Sequence, residues 1–313
     1  MSGNEENTTS WMYFHILAFS KCVECQLVLF MGVAMMYLLS TLGNIVIVIV
    51  VCLKSHLHTP MYFFLCNLSV QDILYVSTIL PKLLVITLTG DTRIYFQCCI
   101  TQMFVFAFCV GTEFFLLTAM SYDRYVAICV SLHYPLIMSK KVCIMLASVC
   151  WFLGALNSLM HSLIMSNLSF CNMREINHVF CDVKTMLRMS CSDTNNIQIL
   201  IIVEGILFGF LPFCLIITSY VFIIISILKV RNSEGRVKAL SSCSSHIIVV
   251  ILFFITFLSL NLKPESQSVL SQENEKLLSL LYIGLVPLLN PLVYSLRNKE
   301  VLVAMKKLIS KLF

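Results

Sequence analysis

The sequence predicts an all-α membrane protein, a seven-transmembrane helix bundle with a short amphipathic C-terminal helix. Three observations carry that expectation. Apolar residues make up 59% of the chain and charged residues 12%, against roughly 45–50% and 25% in soluble domains. The apolar residues fall into seven runs long enough for a helix to cross a bilayer, which takes about 20 residues. The basic residues concentrate in alternate connections between those runs.

The runs cover about 27–52, 60–86, 100–121, 142–164, 197–228, 239–261 and 274–296. A bilayer offers no partners for free backbone groups, so spans must be helices or a closed barrel. Continuous apolar runs without strict alternation choose helices. No polar linker divides the 313 residues. The chain therefore reads as an N-terminal segment 1–26, a seven-span unit 27–296 and a tail 297–313. The N-terminus lacks a basic start and a cleavage site, so span 1 reads as an uncleaved signal-anchor.

Charge sets the expected orientation. The connections after spans 1, 3 and 5, with the tail, hold 13 of the 21 Lys and Arg residues and three acids. The positive-inside rule puts those segments in the cytoplasm and the N-terminus outside. A net charge of +5 is then a topology signal, and nucleic-acid binding is set aside. The sequon Asn7-Thr8-Thr9 lies on the expected outer side, as does Asn167-Leu168-Ser169, whereas Asn67-Leu68-Ser69 falls inside span 2 and should stay unmodified. Of 15 cysteines, Cys98, Cys99, Cys171, Cys181 and Cys191 gather on the outer side, where disulfides persist. Zinc-like ligand spacing is absent. In the tail, Val301, Met305, Leu308 and Leu312 recur at helical spacing beside Lys306, Lys307 and Lys311, the pattern of a helix lying on the inner membrane surface.

Polar residues inside spans are costly and so carry meaning. Asp72 in span 2 and Glu113 in span 3 fall at similar depth, near Asn44 and Asn290 if the helices bundle. They can share a proton or bind a small cation such as sodium, or they form a neutral cluster that only fixes packing. Glu204 in span 5 reads either as a polar anchor for a ligand or as a helix-packing contact. His161 and Asn157 of span 4 read as packing residues. Pro81, Pro212, Pro287 and Pro291 can kink their spans. Met120–Cys129 stands where the third apolar run stops and a basic loop is expected. Its adjacent Asp123 and Arg124 can pair with each other and change partner. Motifs for hydrolases, P-loops and dinucleotide binding are missing, so neither an enzyme nor a cofactor is expected.

Taken together, these motifs resemble the olfactory receptors among the rhodopsin-like G-protein-coupled receptors, over about residues 20–305. The resemblance rests on Gly43-Asn44, on Leu57–Leu65 (LHTPMYFFL) with Leu68–Asp72, and on Met120–Cys129 (MSYDRYVAIC). It continues through Ser219-Tyr220, Lys238–His246 (KALSSCSSH) and Pro287–Asn298 (PLLNPLVYSLRN). It implies a receptor with no bond chemistry of its own. A small volatile odorant would be detected in a pocket lined by Phe106, Ala107, Val110 and Gly111 of span 3, Glu204 and Phe208 of span 5, and Phe254, Phe257, Leu258 and Asn261 of span 6. Asp123, Arg124, Tyr125, Tyr220 and Tyr294 would form the cytoplasmic switch for a heterotrimeric, stimulatory olfactory-type G protein that raises cyclic AMP. The resemblance further implies Cys99–Cys181 and Cys171–Cys191 disulfides, with Cys98 an extra neighbour.

Phe253-Phe254-Ile255 departs from the Phe-Tyr-Gly usual in span 6. The pocket floor would lose a hydroxyl, and Ile255 would narrow that helix. A transporter would tolerate the same buried acids and kinks, but no internal repeat supports one. Rhodopsin-like amine receptors outside this family carry an aspartate in span 3 where Phe106 stands; here Glu204 is the one strong polar handle, for a ligand with a donor or a cationic amine.

Overall fold

The computed structural model describes residues 13–19, 26–170, 174–230, 232–261, 269–297 and 301–303. Seven helices among them are long and apolar enough to cross a membrane. They are α1 Gln26–Leu53, α2 Pro60–Thr89, α3 Phe96–Cys129, α4 Lys140–Ser166, α5 Asn195–Lys229, α6 Ser233–Asn261 and α7 Val269–Arg297. Each expected span is present, lengthened by a few residues at one or both ends. Large apolar side chains such as Leu27, Val28, Phe152, Phe210 and Leu228 cover the outer faces, a surface that only lipid would solvate well. The chain is a multi-pass membrane protein.

Local chemistry sets the helix ends. Thr59 is extended and Pro60 opens α2, where its missing N–H costs nothing. Gly90 closes α2 in the left-handed region (φ 72°), with its N–H on the Ile86 carbonyl at 2.9 Å. Helix α3 runs to Cys129, with Val130 N–H on the Val126 carbonyl. Met120–Cys129 is therefore the last turns of a helix, and the expected loop begins after it. Buried Met120, Ser121, Asp123 and Val126 pack these turns against the bundle, which outweighs the charge of Asp123-Arg124 as a stop signal. In α5, Gly205–Phe210 is π-helical, a feature the apolar pattern does not register.

α3 forms the centre of the bundle. In its most apolar stretch 56% of residues are buried, against 17% in α5. Small residues bring α4 close. A Cβ on Gly154 would collide with the Thr112 side chain, the Thr112 backbone nitrogen and the Phe108 carbonyl. Ser158 donates from its hydroxyl to the Phe104 carbonyl, and Trp151 Nε1 donates to Asn67 Oδ1 at 2.9 Å. That amide is thereby committed to the α2–α4 contact.

One proline is compensated from outside its own helix. Pro291 has no N–H, so the Pro287 carbonyl one turn earlier lacks its helical donor. Asn44 of α1 supplies it, Nδ2 to Pro287 O at 2.9 Å, and also reaches its own Ser40 carbonyl. Gly43 permits the approach, since a Cβ there would lie 3.1 Å from the Pro291 ring.

A small sheet crosses one end of the bundle in the order β2-β1-β3. β1 (Tyr13–Ile16) pairs antiparallel with β2 (Arg93–Tyr95) and parallel with β3 (Glu175–Ile176). Beyond the strands, Leu17 and Ala18 donate to the Ile176 and His178 carbonyls. Ala18 turns with φ 40°. Asn7 lies outside the described residues, as does the tail apart from helical Val301–Val303.

Candidate functional site

Beneath the sheet a cavity of about 370 Å³ opens between α3, α4, α5, α6 and α7. Phe106, Ala107, Val110 and Gly111 line it from α3, Glu204 and Phe208 from α5, and Phe257 and Leu258 from α6. Phe254 does not line it. Its ring is buried behind the wall, against Phe114 of α3 (5.4 Å between centroids) and Phe213 of α5 (4.8 Å). Asn261 ends α6, and its side chain lies outside the described residues. Ile255 faces outward, 59% exposed.

The structure adds residues that sequence reasoning left out. Asn157 and His161, one turn apart on α4, both border the cavity, and His161 also packs across to α5. Their i, i+4 spacing on one face of an apolar helix was the available signal. His161 Nε2 lies 2.7 Å from Glu204 Oε2, and both side chains are largely buried. The contact is close but is not aligned as a hydrogen bond, so both carboxylate oxygens keep accepting capacity.

The segment after β3 roofs the cavity with His178, Phe180, Asp182, Val183 and Lys184. Cys181 anchors it to α3 through the Cys99–Cys181 disulfide, and its N–H donates to Gln102 Oε1 at 2.9 Å. Cys98 is exposed and not disulfide-bonded. Cys191 is disulfide-bonded, while Cys171 lies outside the described residues. Phe180 packs on Phe106 at 4.8 Å and His178 on Phe180 at 4.8 Å. His178 Nε2 meets Ser279 Oγ of α7 at 3.2 Å. Burial holds the His178 imidazole below its ordinary pKa, against the opposing pull of Asp182 and Glu275.

Below the cavity lies an aromatic floor. Phe114 meets Phe253 and Phe257 edge to face at 4.7 and 4.9 Å, and Phe253 is fully buried. These rings pack on one another without a hydroxyl between them.

The far end of the bundle holds the acid–base pair. Asp123 is fully buried. Its Oδ2 accepts from Arg124 Nε at 3.0 Å and also from Nη2, and its Oδ1 accepts from Tyr134 O–H at 2.7 Å. Tyr134 belongs to the short helix Tyr134–Ile137 that follows α3. Burial, then the Asp123 charge, pushes its phenol pKa upward and keeps it a donor. Tyr220 O–H and His246 Nδ1 join α5 to α6 at 2.6 Å. Tyr125 packs on Phe222 of α5. Tyr294 O–H is buried without a hydrogen-bond partner among the described residues.

Midway between the two ends, Asn290 Nδ2 donates to Asp72 Oδ2 at 2.9 Å and Gln71 Nε2 to Glu113 Oε2 at 3.4 Å. Asp72 Oδ1, Glu113 Oε1, Ser69 Oγ and Asn44 Oδ1 are buried without hydrogen-bond partners among the described residues.

Comparison with known proteins decides what this arrangement belongs to. The family model described as olfactory receptor matches residues 33–312. The chain belongs to the olfactory receptor family. Olfactory receptor 13F1 of Homo sapiens is 44% identical over 97% of this receptor and 94% of its own length. Olfactory receptor 1 of Rattus norvegicus is 44% identical over 98% and 97%. Olfactory receptor 1M1 of Homo sapiens is 41% identical over 97% of each chain. This receptor is accordingly a sensory protein of the G-protein-coupled type, and not an enzyme.

Proposed function

We propose that this receptor binds a small volatile odorant in the cavity between α3 and α7 and thereby activates a stimulatory olfactory-type G protein, raising cyclic AMP. The observation that carries the reading is the vertical order of the parts. A mostly aromatic and aliphatic cavity with a few polar groups, suited to a small organic ligand, stands on a hydroxyl-free aromatic floor above a buried, hydrogen-bonded Asp123–Arg124 pair. Ligand would favour an open state at the Arg124 end by population shift. Arg124, Tyr125, Tyr220 and Tyr294 would carry the switch.

On this reading segment 1–26 is extracellular, with Asn7 as glycan acceptor, and the tail 297–313 lies in the cytoplasm against the plasma membrane. The bundle 27–296 does the sensing. Cys171 would supply the partner of Cys191. The unpartnered oxygens around Asp72 and Glu113 fit a small cation such as sodium, since carboxylate and hydroxyl oxygens are what a hard cation takes.

The test is an odorant panel on cells expressing the receptor, with cyclic AMP as readout. Some volatile should raise it, and Arg124→Ala should abolish the response at equal surface expression. A ligand-driven ion flux that persists without G protein would overturn the reading.

A further inference from the structure

The polar corner of the cavity states a chemical preference. We propose that the cavity takes a small protonated amine, whose ammonium group binds Glu204 in competition with His161. This rests on the ligand-detecting reading above and names the class of ligand.

Glu204 is 94% removed from solvent, its exposure being 6%, and its carboxylate faces the cavity. A buried carboxylate with no aligned hydrogen bond is costly, and the cost is relieved by whatever supplies donors. His161 stands 2.7 Å from Oε2 as an ion-pair contact, and neither carboxylate oxygen has a hydrogen-bond partner among the described residues. An alkylammonium is the stronger donor. It stays charged at neutral pH, as lysine does with a pKa of about 10.4, and it offers three donors where imidazole offers one at a time or two when charged.

The rest of the lining agrees. Asp182 and Glu275 add two more carboxylates, and Lys184 is the one permanently cationic side chain among the lining residues. His178, its pKa lowered by burial, adds no charge at neutral pH. A carboxylic acid would meet this acidic excess unfavourably, and a hydrocarbon would leave Glu204 as unsatisfied as before. Phe106 and Phe208 supply ring surface for the apolar body of the amine.

The test matches ligands by skeleton. Butylamine, hexylamine, octylamine and benzylamine are each compared with the alcohol and the carboxylic acid of the same carbon frame. Cyclic AMP in cells at equal surface expression is one readout. The melting temperature of purified receptor, which needs no G protein, is the other. At least one amine should act at roughly tenfold lower concentration than its alcohol and raise the melting temperature. Glu204→Gln should remove both effects, Glu204→Asp should restore part of them, and His161→Asn should lower the concentration of amine required.

If no amine in the series shifts the melting of the wild-type receptor, or if Glu204→Gln leaves amine potency unchanged, the proposal is overturned. An unchanged or higher requirement in His161→Asn overturns the competition. An amine that shifts melting without raising cyclic AMP supports the proposal and removes the G-protein reading. Neutral odorants that signal while every amine fails do the reverse.

Discussion

Replacing Asn44 with leucine should destabilise the receptor by an amount that depends on a proline in another helix. Leucine keeps the branching and heavy-atom count of the side chain and removes the amide. The Pro287 carbonyl then has no donor, because Pro291 has no N–H to give it. Leaving a buried acceptor unmade costs about 1–3 kcal/mol, and interhelical hydrogen bonds measured in membranes average about 0.6 with a maximum of about 1.7. The expectation for Asn44→Leu is therefore a loss of about 1–2 kcal/mol. Pro291→Ala restores an N–H at the position that should bond the Pro287 carbonyl. In that background Asn44→Leu should cost less by about 1 kcal/mol, although Pro291→Ala leaves its own space beside Gly43. The assay is a double-mutant cycle on purified receptor, with unfolding followed by tryptophan fluorescence. An equal cost of Asn44→Leu in both backgrounds would refute the reasoning, since the amide would then not be standing in for the missing N–H.

Gly154→Ala should cost about 1–3 kcal/mol through overpacking against the Thr112 and Phe108 backbone, read as a lower melting temperature; Gly32→Ala, with nothing near its Cβ, serves as the control. Tyr134→Phe should leave Asp123 Oδ1 without its donor, loosen the pair by about 1–2 kcal/mol and raise basal cyclic AMP severalfold; basal activity at or below wild type would show that this contact does not hold the resting state. The roof should weaken in acid. His178 is held below its ordinary value, so the opened state takes up its proton first, and stability present above pH 6.5 is lost as pH falls from there toward the lowered folded value. The hydrogen-exchange protection of residues 174–183, corrected for the pH dependence of intrinsic exchange, should fall across that window, and His178→Gln should flatten the dependence.

The spans were legible because crossing a bilayer demands one long apolar run each, and nothing else in the chain imitates it. Helix ends were less so. Met120–Cys129 read as the boundary where the third span stops because Asp123 and Arg124 are charged, but burial with mutual pairing satisfies that charge without ending the helix. The cavity wall from α3 and α5 lay within reach of a family resemblance, whereas Phe254 was displaced because a ring without a hydroxyl gains more from Phe114 and Phe213 than from facing a cavity. His161 read as a packing residue, but its partner was not legible. Whether a polar residue on α4 meets a partner depends on the rotation of α5, and the π-helical Gly205–Phe210 next to Glu204 shifts that rotation without any mark in the apolar pattern. The roof was beyond sequence reasoning because its position comes from a disulfide, a glutamine and strand pairing acting together.

Because β1 is the middle strand of its sheet, the order of synthesis matters. Tyr13–Ile16 is made first, yet β2 follows α2 and β3 follows α4. Until two spans have been inserted the leading strand has both edges bare, and one edge stays bare until the fourth span is in place. Bare edges pair with whatever strand comes near, another nascent copy included. The closed sheet thus works as a seal that only a correctly threaded first half can complete. A chain stalled before α4 would display that open strand to the folding machinery of the compartment it faces.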